Sequence, residues 1–170
     1  SYTDEAENLT STVTNEKGVK TKNSFDRYGR LIKTVQDTEN QKKTTELIYD
    51  NYDRVIEVKG PYLETYDGYR TKYEYDNRGR ITSVINPEDR TRTTVYDDIT
   101  GSAVTTDESK RVSRTVSDVR GNVVETGRKD EGGSFVVNGR TWYSANGKVL
   151  RKEDGRGNTV HISYNSLGLE

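Results

Sequence analysis

The chain offers few residues for catalysis or metal binding, because it contains one histidine and no cysteine. That histidine, His161, lies between a valine and an isoleucine in a stretch with the composition of an ordinary strand. A catalytic triad or a histidine-rich metal site needs partners that a lone histidine does not have. We therefore predict no catalytic residue, no metal ligand and no cofactor.

Acidic residues are the next candidates, since two carboxyl groups placed across a cleft carry out glycoside hydrolysis. Adjacent acids occur at 97–98, 107–108 and 130–131, but adjacency in sequence does not set the distance that a cleft requires. All three pairs fall in predicted turns, so we interpret them as solvated turn residues. Residues 154–158 begin like a glycine-rich phosphate loop, yet they lack its lysine and its strand-to-helix context.

Four aromatic side chains are candidates for facing a ligand: Tyr73, Tyr75, Trp142 and Tyr143. Aromatic rings stack on the apolar faces of sugars, so a stripe of them suits a carbohydrate-binding surface. The same rings also supply a large packing area in a thin sheet. We favour packing, because aliphatic residues are expected opposite them on the neighbouring strands.

Charge is balanced in this chain, with 27 Lys and Arg against 28 Asp and Glu and a net charge of −1. That balance does not attract nucleic acid or an anionic membrane, and no stretch is apolar enough to span a bilayer. Only 29% of the residues are hydrophobic, but 12 tyrosines and many valines and threonines favour a thin β structure over disorder. The chain has no methionine, not even an initiator, so we expect a piece of a longer protein.

One short unit organises the chain, and its clearest copy occupies residues 73–81. It predicts two strands joined by a tight turn. Asp76 suits the first turn position, because its carboxylate can accept backbone N–H bonds from the residues that follow. Gly79 suits the position that needs a positive φ. In this register Asp76 faces Arg80, and Tyr75 faces the isoleucine that follows Arg80.

Copies of this unit recur as an aromatic residue, Asp or Asn, two free positions, glycine, a basic residue and an aliphatic residue. Their second positions fall at 26, 50, 76, 97, 118, 144 and 165, so consecutive copies are 21–26 residues apart. We predict one array over residues 1–170 with about seven hairpin repeats. The motif residues that we expect to build it are Phe25, Asp26, Gly29, Arg30, Tyr49, Asp50, Arg54, Tyr75, Asp76, Gly79, Arg80, Tyr96, Asp97, Gly101, Asp118, Gly121, Tyr143 and Gly147.

Return turns should connect these hairpins, where the chain is polar or contains glycine or proline. We predict them at 38–40, 59–61, 86–89, 107–109 and 129–133. Asn138-Gly139 predicts one further hairpin, with a type I′ turn that brings Phe135 opposite Trp142. Before the array, residues 2–9 look like a degenerate first copy, and residues 4–7 carry a weak helix signal.

Residues 69–81 resemble the consensus of RHS/YD (rearrangement-hotspot, tyrosine-aspartate) repeats, and residues 25–31, 49–55 and 96–101 echo it. In that family the repeats form a long β-sheet strip that curls into a hollow shell. In bacterial polymorphic toxins and insecticidal toxin complexes the shell encloses a toxic C-terminal segment. Animal teneurins carry a similar shell in an adhesion receptor, and carbohydrate binding has been ascribed to such repeats.

The resemblance implies an all-β fold of consecutive antiparallel hairpins in an elongated, curved repeat sheet, as a segment of a longer YD-repeat shell. It implies a non-enzymatic wall element of a secreted or cell-surface bacterial protein. The alternative is a surface adhesion module that binds carbohydrate or protein. The family's conserved core segment, which carries a self-cleaving aspartyl protease in several members, is missing here, so no toxin or protease role carries over.

The partners implied by the resemblance are the remainder of the parent shell protein, an enclosed C-terminal polypeptide and carbohydrate. We expect no nucleic-acid partner. Because a sheet cut from a longer one exposes strand edges, we also expect the isolated segment to self-associate.

Overall fold

The structure is a computed structural model that describes residues 9–38, 41–63 and 69–165, with only the backbone of Thr38. These residues form fourteen β-strands, and none of them is helical. The all-β prediction is therefore confirmed. The copy predicted at 2–9 lies outside the described residues except for Leu9, and the helix signal at 4–7 lies wholly outside them.

The chain divides into two units, Ser1–Thr91 and Arg92–Glu170. In the first unit each strand pairs antiparallel with the strand that follows it in sequence. Its strands are β1 (Leu9–Thr14), β2 (Lys20–Phe25), β3 (Leu31–Thr38), β4 (Gln41–Tyr49), β5 (Val55–Leu63), β6 (Arg70–Tyr75) and β7 (Ile81–Ile85).

The second unit has the same meander of consecutive antiparallel strands. Its strands are β8 (Thr91–Asp97), β9 (Ser102–Thr106), β10 (Val112–Ser117), β11 (Val123–Lys129), β12 (Phe135–Tyr143), β13 (Val149–Asp154) and β14 (Thr159–His161). Thr91, the first residue of β8, is the last residue of the first unit. Consecutive hairpins were expected from the spacing of the turn residues, and the structure confirms them in both units.

Neither unit has a hydrophobic core among the residues that the structure describes. No hydrophobic side chain there is buried, and the three buried residues are Thr44, Ser83 and Gly127. Each of Ile56, Val124 and Leu150 follows the aliphatic residue of its repeat motif and therefore points to the opposite face of the strand. Ile56 and Val124 are half-buried, and Leu150 is exposed. Strand pairing and side chains that cover one another along the sheet must therefore hold each unit together.

The additional hairpin predicted around Asn138-Gly139 is wrong, because both residues lie inside strand β12. That strand pairs with β11 on one side and with β13 on the other, and ladders on both edges outweigh the local turn preference. Asn138 is the extra residue of a bulge opposite β11. Phe135 and Trp142 consequently lie along one strand instead of facing each other across a turn.

The return turn predicted at 59–61 is also wrong, because Lys59, Gly60 and Pro61 lie in strand β5. The register of β5 against β4 shifts between Thr44 and Glu46, and Gly60 has a φ of 98°. A Cβ on Gly60 would lie 2.3 Å from the carbonyl oxygen of Thr44. The glycine therefore marks a close approach of two strands.

The return turns predicted at 86–89, 107–109 and 129–133 are turns in the structure, although Lys129 is the last residue of β11. Of the turn predicted at 38–40, residues 39 and 40 lie outside the described part of the chain.

Candidate functional site

One aspartate side chain builds most repeat turns, as the Asp76 turn shows, while Ser144 holds this position in its own turn. Its Oδ1 accepts the backbone N–H groups of Arg78 and Arg80, both at 2.9 Å, and its Oδ2 accepts the Arg80 Nε–H at 2.7 Å. The N–H of Gly79, which has a φ of 80°, donates to the Asp76 carbonyl. These donors stabilise the ionised carboxylate and lower the pKa of Asp76, the backbone N–H of Arg80 contributing most.

The turns that begin at Asp26 and Asp50 have the same geometry. In each, the arginine four residues later donates its Nε–H to Oδ2 at 2.7 Å. The fourth turn position has a φ of 80° at Gly29 and of 61° at Asp53. Aspartate is among the few residues that tolerate this conformation, so the turn survives the loss of its glycine at that position.

Several return turns are the same turn, which the repeat template did not reveal. Asn86 accepts the backbone N–H groups of Glu88 and Arg90 at 3.0 and 2.9 Å, and Asp89 takes the positive φ of 56°. The sequence signal was Asn or Asp three residues before a glycine, at Gly18, Gly133 and Gly157, whereas Asp89 and Lys110 take the positive φ without this signal. The return turns that share the same two backbone hydrogen bonds, N–H of the first residue to the carbonyl of the fifth and N–H of the fourth to the carbonyl of the first, begin at Asn15, Asn86, Asp107, Asp130 and Asp154.

Asparagine replaces the closing arginine at two turns of the second unit. The Nδ2 of Asn122 donates to Oδ2 of Asp118 at 2.9 Å, and Asn158 donates to Asp154 at 2.7 Å. These side-chain amides are the largest cause of the lowered pKa of both aspartates. The side-chain amide of asparagine therefore closes these two turns, although asparagine is shorter than arginine.

The tyrosine of each well-formed copy is bonded to the copy before it. In the first unit the Tyr49 hydroxyl donates to the Leu31 carbonyl at 2.7 Å, and the Tyr75 hydroxyl donates to the Val55 carbonyl at 2.6 Å. In the second unit Tyr143 and Tyr164 make the same bond at 3.0 Å. The acceptor is in every case the aliphatic residue that begins the second strand of the preceding hairpin.

The turn arginine also contacts the next copy. The guanidinium of Arg30 lies 4.8 Å from the centre of the Tyr49 ring, and that of Arg54 lies 4.6 Å from the Tyr75 ring. Arg54 further donates to the Asp76 carbonyl at 3.1 Å. Each of these arginines therefore closes its own turn and stacks on the tyrosine of the following repeat.

These contacts locate the four aromatic candidates. Tyr75 and Tyr143 use their hydroxyls to bond the preceding repeat, and burial raises the pKa of Tyr75. Tyr73 is half-buried and pairs with Val84 across the hairpin. Trp142 is 37% exposed, which makes it the most accessible ring of the four.

The other residues considered for catalysis, phosphate binding or metal binding occupy ordinary positions in turns and strands. The acid pairs at 97–98, 107–108 and 130–131 are at turns, and residues 154–158 form the aspartate turn described above. His161 is exposed in β14 opposite Arg151. Within the described ranges, no group of three or more acids or histidines could hold a metal ion. Nor does this part of the chain contain a helix that could cross a membrane.

A ladder of ion pairs crosses the second unit, and it was missed in the sequence because the hairpin at 138–139 was wrongly placed. Arg140 lies between Glu125 and Glu153, with nitrogen–oxygen distances of 3.0 and 3.4 Å. Glu125 also pairs with Arg114 at 2.7 Å, and Glu153 pairs with Arg151. The side chains of Glu125 and Glu153 are only 20% and 19% exposed. The ladder therefore covers the face of the sheet on which these residues lie.

A groove of about 630 Å³ lies beside this ladder, within the second unit. Val116, Val124 and Trp142 supply its apolar surface, and Arg120 and Arg140 supply its cations. The guanidinium of Arg151 lies 4.1 Å from the Trp142 ring, which holds the indole in place.

Both units are thus antiparallel hairpin repeats in which aspartate turns, arginines and tyrosines connect consecutive copies, and this defines a structural β-repeat protein. The model of the RHS Repeat family matches residues 63–91, which include the Asp76 turn. The resemblance to RHS/YD repeats is confirmed. No curated protein matches the chain.

Solved structures of Tc toxin proteins have the same fold. A TcdB2-TccC3 structure without its hypervariable C-terminal region matches 88% of the chain at 18% identity and a TM-score of 0.66. TcdB2-TccC3-Cdc42 matches 86% at 19% identity and a TM-score of 0.67. The Photorhabdus luminescens Tc holotoxin pore matches 88% at 18% identity and a TM-score of 0.68. The chain spans about a tenth of these proteins, since it covers 10% of each.

Proposed function

We propose that this chain is a non-enzymatic structural module that forms part of the wall of an RHS-type shell. The observation that carries the proposal is the contact between consecutive repeats. Arg54 stacks on Tyr75, and Tyr75 bonds to the carbonyl of Val55. The most recognisable residues of the repeat are therefore occupied in joining hairpins side by side, which is the task of a wall element.

The wider setting of this wall is part of the same proposal. The shell is secreted or displayed on a bacterial cell surface, and it encloses or presents a C-terminal effector. The RHS repeat at 63–91 and the fold shared with Tc toxin proteins support this role. On this proposal residues 1–170 form one array, and the remainder of the parent protein supplies most of the wall.

Protease protection of the parent protein's C-terminal region tests the proposal. The region should resist digestion in the wild type and become cleavable when two inter-repeat contacts are removed by the Tyr49→Leu and Tyr75→Leu substitutions together. Tyr28→Leu with Tyr52→Leu is the matched control, because these rings are exposed at turn tips. A C-terminal region that is digested equally fast in all three proteins would contradict the wall function.

The alternative of a carbohydrate- or protein-binding surface module has one supporting observation, which is that Trp142 and Tyr143 both line the groove of the second unit. A glycan array with the wild type and Trp142→Ala tests the carbohydrate branch. Binding that is lost in the variant would favour it, and a blank array would remove it.

A further inference from the structure

We propose that the groove of the second unit binds a short peptide segment in which an acidic residue lies next to a large apolar residue. This inference is independent of the proposed wall role. Its basis is the combination of a volume within the range of ligand sites, an apolar floor, and one arginine, Arg120, that forms no ion pair with a carboxylate of the described residues.

The acids that line the groove are already occupied. Oδ1 of Asp118 accepts the backbone N–H groups of Arg120 and Asn122, and its Oδ2 accepts the side-chain amide of Asn122. The two oxygens of Glu125 accept from Arg114 and Arg140. Each oxygen of the two carboxylates already accepts at least one hydrogen bond, so a cationic ligand would have to compete with donors of the chain.

Arg120 is in the opposite situation. Its side chain is exposed at the turn tip, and one guanidinium nitrogen donates to the Ala145 carbonyl. Within the described residues no carboxylate forms an ion pair with it, whereas Arg140 has Glu125 and Glu153 on its two sides. Since the carbonyl fixes one end of the planar guanidinium, the other donors are arranged to receive a carboxylate.

The apolar floor of the groove is the reason why we propose a peptide, and not a small inorganic anion, as the ligand. Val116, Val124 and the Trp142 ring line it, and the indole is 37% exposed. Burial of apolar surface and of a tryptophan side chain usually supplies much of the binding energy at a protein–peptide contact. A segment with a carboxylate for Arg120 and an apolar neighbour for this floor satisfies both parts, while a neutral sugar would leave the arginine unpaired.

Trp142 is the only tryptophan of the chain, so its fluorescence reports on the groove directly. The probe is the capped pentapeptide acetyl-glycyl-leucyl-glutamyl-leucyl-glycinamide, and the matched control replaces its glutamyl residue with glutaminyl. We expect a saturable fluorescence change with the acidic peptide and an affinity about ten-fold or more weaker for the neutral one. Isothermal titration calorimetry on the same pair detects binding that leaves the indole signal unchanged.

Two protein variants make the test specific. Arg120→Gln should weaken the binding of the acidic peptide by a similar factor, and Arg156→Gln should leave the affinity for this peptide unchanged. Arg156 holds the same position in the Asp154 turn, with its N–H on the carboxylate, but lies outside the groove. Urea unfolding of both variants checks that they remain folded.

Three results would overturn the inference. The first is no heat and no saturation with the acidic peptide up to about 10 mM, well beyond the millimolar range of weak contacts. The second is equal affinity for the two peptides or for wild type and Arg120→Gln. The third is saturation by a neutral oligosaccharide such as maltohexaose without any response to the acidic peptide.

Discussion

The Tyr75 hydroxyl donates to the Val55 carbonyl at 2.6 Å, and this bond joins the aromatic residue of one repeat to the aliphatic residue of the repeat before it. Tyr49 and Leu31 have the same relationship one repeat earlier, at 2.7 Å. Side chains at the turn ends therefore fix how consecutive hairpins lie beside each other, in addition to the strand ladders.

Removing the Tyr75 hydroxyl tests the bond by itself. Tyr75→Phe should lower the free energy of unfolding by about 0.5–1.5 kcal/mol, because one hydrogen bond is lost and the ring remains. Phe25 occupies the same motif position in the copy at 25–31, so the ring without its hydroxyl suits the site. Urea unfolding measures the change. Tyr52→Phe, on a side chain that is 79% exposed, is the control and should leave the unfolding midpoint unchanged.

Two substitutions at Asp76 separate the turn from the ion pair. Asp76→Asn should destabilise much less than Asp76→Ala, since Asn15 and Asn86 accept the same two backbone N–H bonds in their own turns. Asparagine keeps an oxygen for the two backbone N–H groups but loses the charge and the Oδ2 acceptor of the Arg80 Nε–H, while alanine loses the whole turn network. Thermal melts of the three proteins give the order. Equal losses for the two variants would assign the effect to the ion pair.

Stability should fall steeply in acid because hydrogen bonds to carboxylates lower the pKa of many turn aspartates. The folded pKa lies below the unfolded value of about 3.9, so the stabilisation is present above that value and is lost as the pH falls through the folded pKa. Urea midpoints should hold between about pH 7 and pH 5 and drop below about pH 4. A midpoint that stays constant down to pH 2.5 would refute the turn network. The aspartates concerned are Asp26, Asp50, Asp76, Asp97, Asp107, Asp118 and Asp154.

Gly79 tests the backbone of the turn. No atom lies within 4 Å of a Cβ built on it, so Gly79→Val is penalised by its φ of 80° alone. The loss should exceed about 1 kcal/mol, and Gly79→Asn should cost less. Gly132→Ala is the control, because that glycine has no positive φ and the change should stay within about 0.5 kcal/mol. An unchanged melting temperature for Gly79→Val would mean that the turn is not rigid.

Self-association of the isolated segment stays a prediction. Among the described residues β1 pairs only with β2, and β14 pairs only with β13, and an unpaired strand edge favours pairing with another chain. Light scattering over a concentration series should show growth beyond the 19.3 kDa of one chain, and a monomer at all concentrations would contradict it. Charged residues in place of Ile56 and Val124 should disperse the assembly only if the face of the sheet that carries these two side chains forms the contact.

The sequence predicted the features that are local. The Asp76 turn follows from Asp76, Gly79 and Arg80, whose bonds lie within five residues. Asn138-Gly139 carried the strongest hairpin signal and was nevertheless wrong, because pairing on both edges of β12 overrode the local preference.

The contacts that depend on register could not be derived in the same way. The ladder through Arg140 and the groove beside Trp142 require the pairing of strands β10 to β13, which the misplaced turn concealed. The bond from Tyr75 to Val55 spans 20 residues. The repeat template contains an aromatic and an aliphatic position, but only the fold shows that the tyrosine of one repeat bonds the aliphatic residue of the repeat before it.

A double-mutant cycle between Arg54 and Tyr75 tests the central claim, the contact between consecutive repeats, most directly. Arg54→Asn keeps a donor for Asp50, as Asn122 and Asn158 do at their own turns, but removes the stacking on Tyr75. Tyr75→Leu removes the ring. The free energies of unfolding should show a coupling of about 0.5–1 kcal/mol. Losses that add within about 0.3 kcal/mol would contradict the claim that the arginine of one repeat holds the tyrosine of the next.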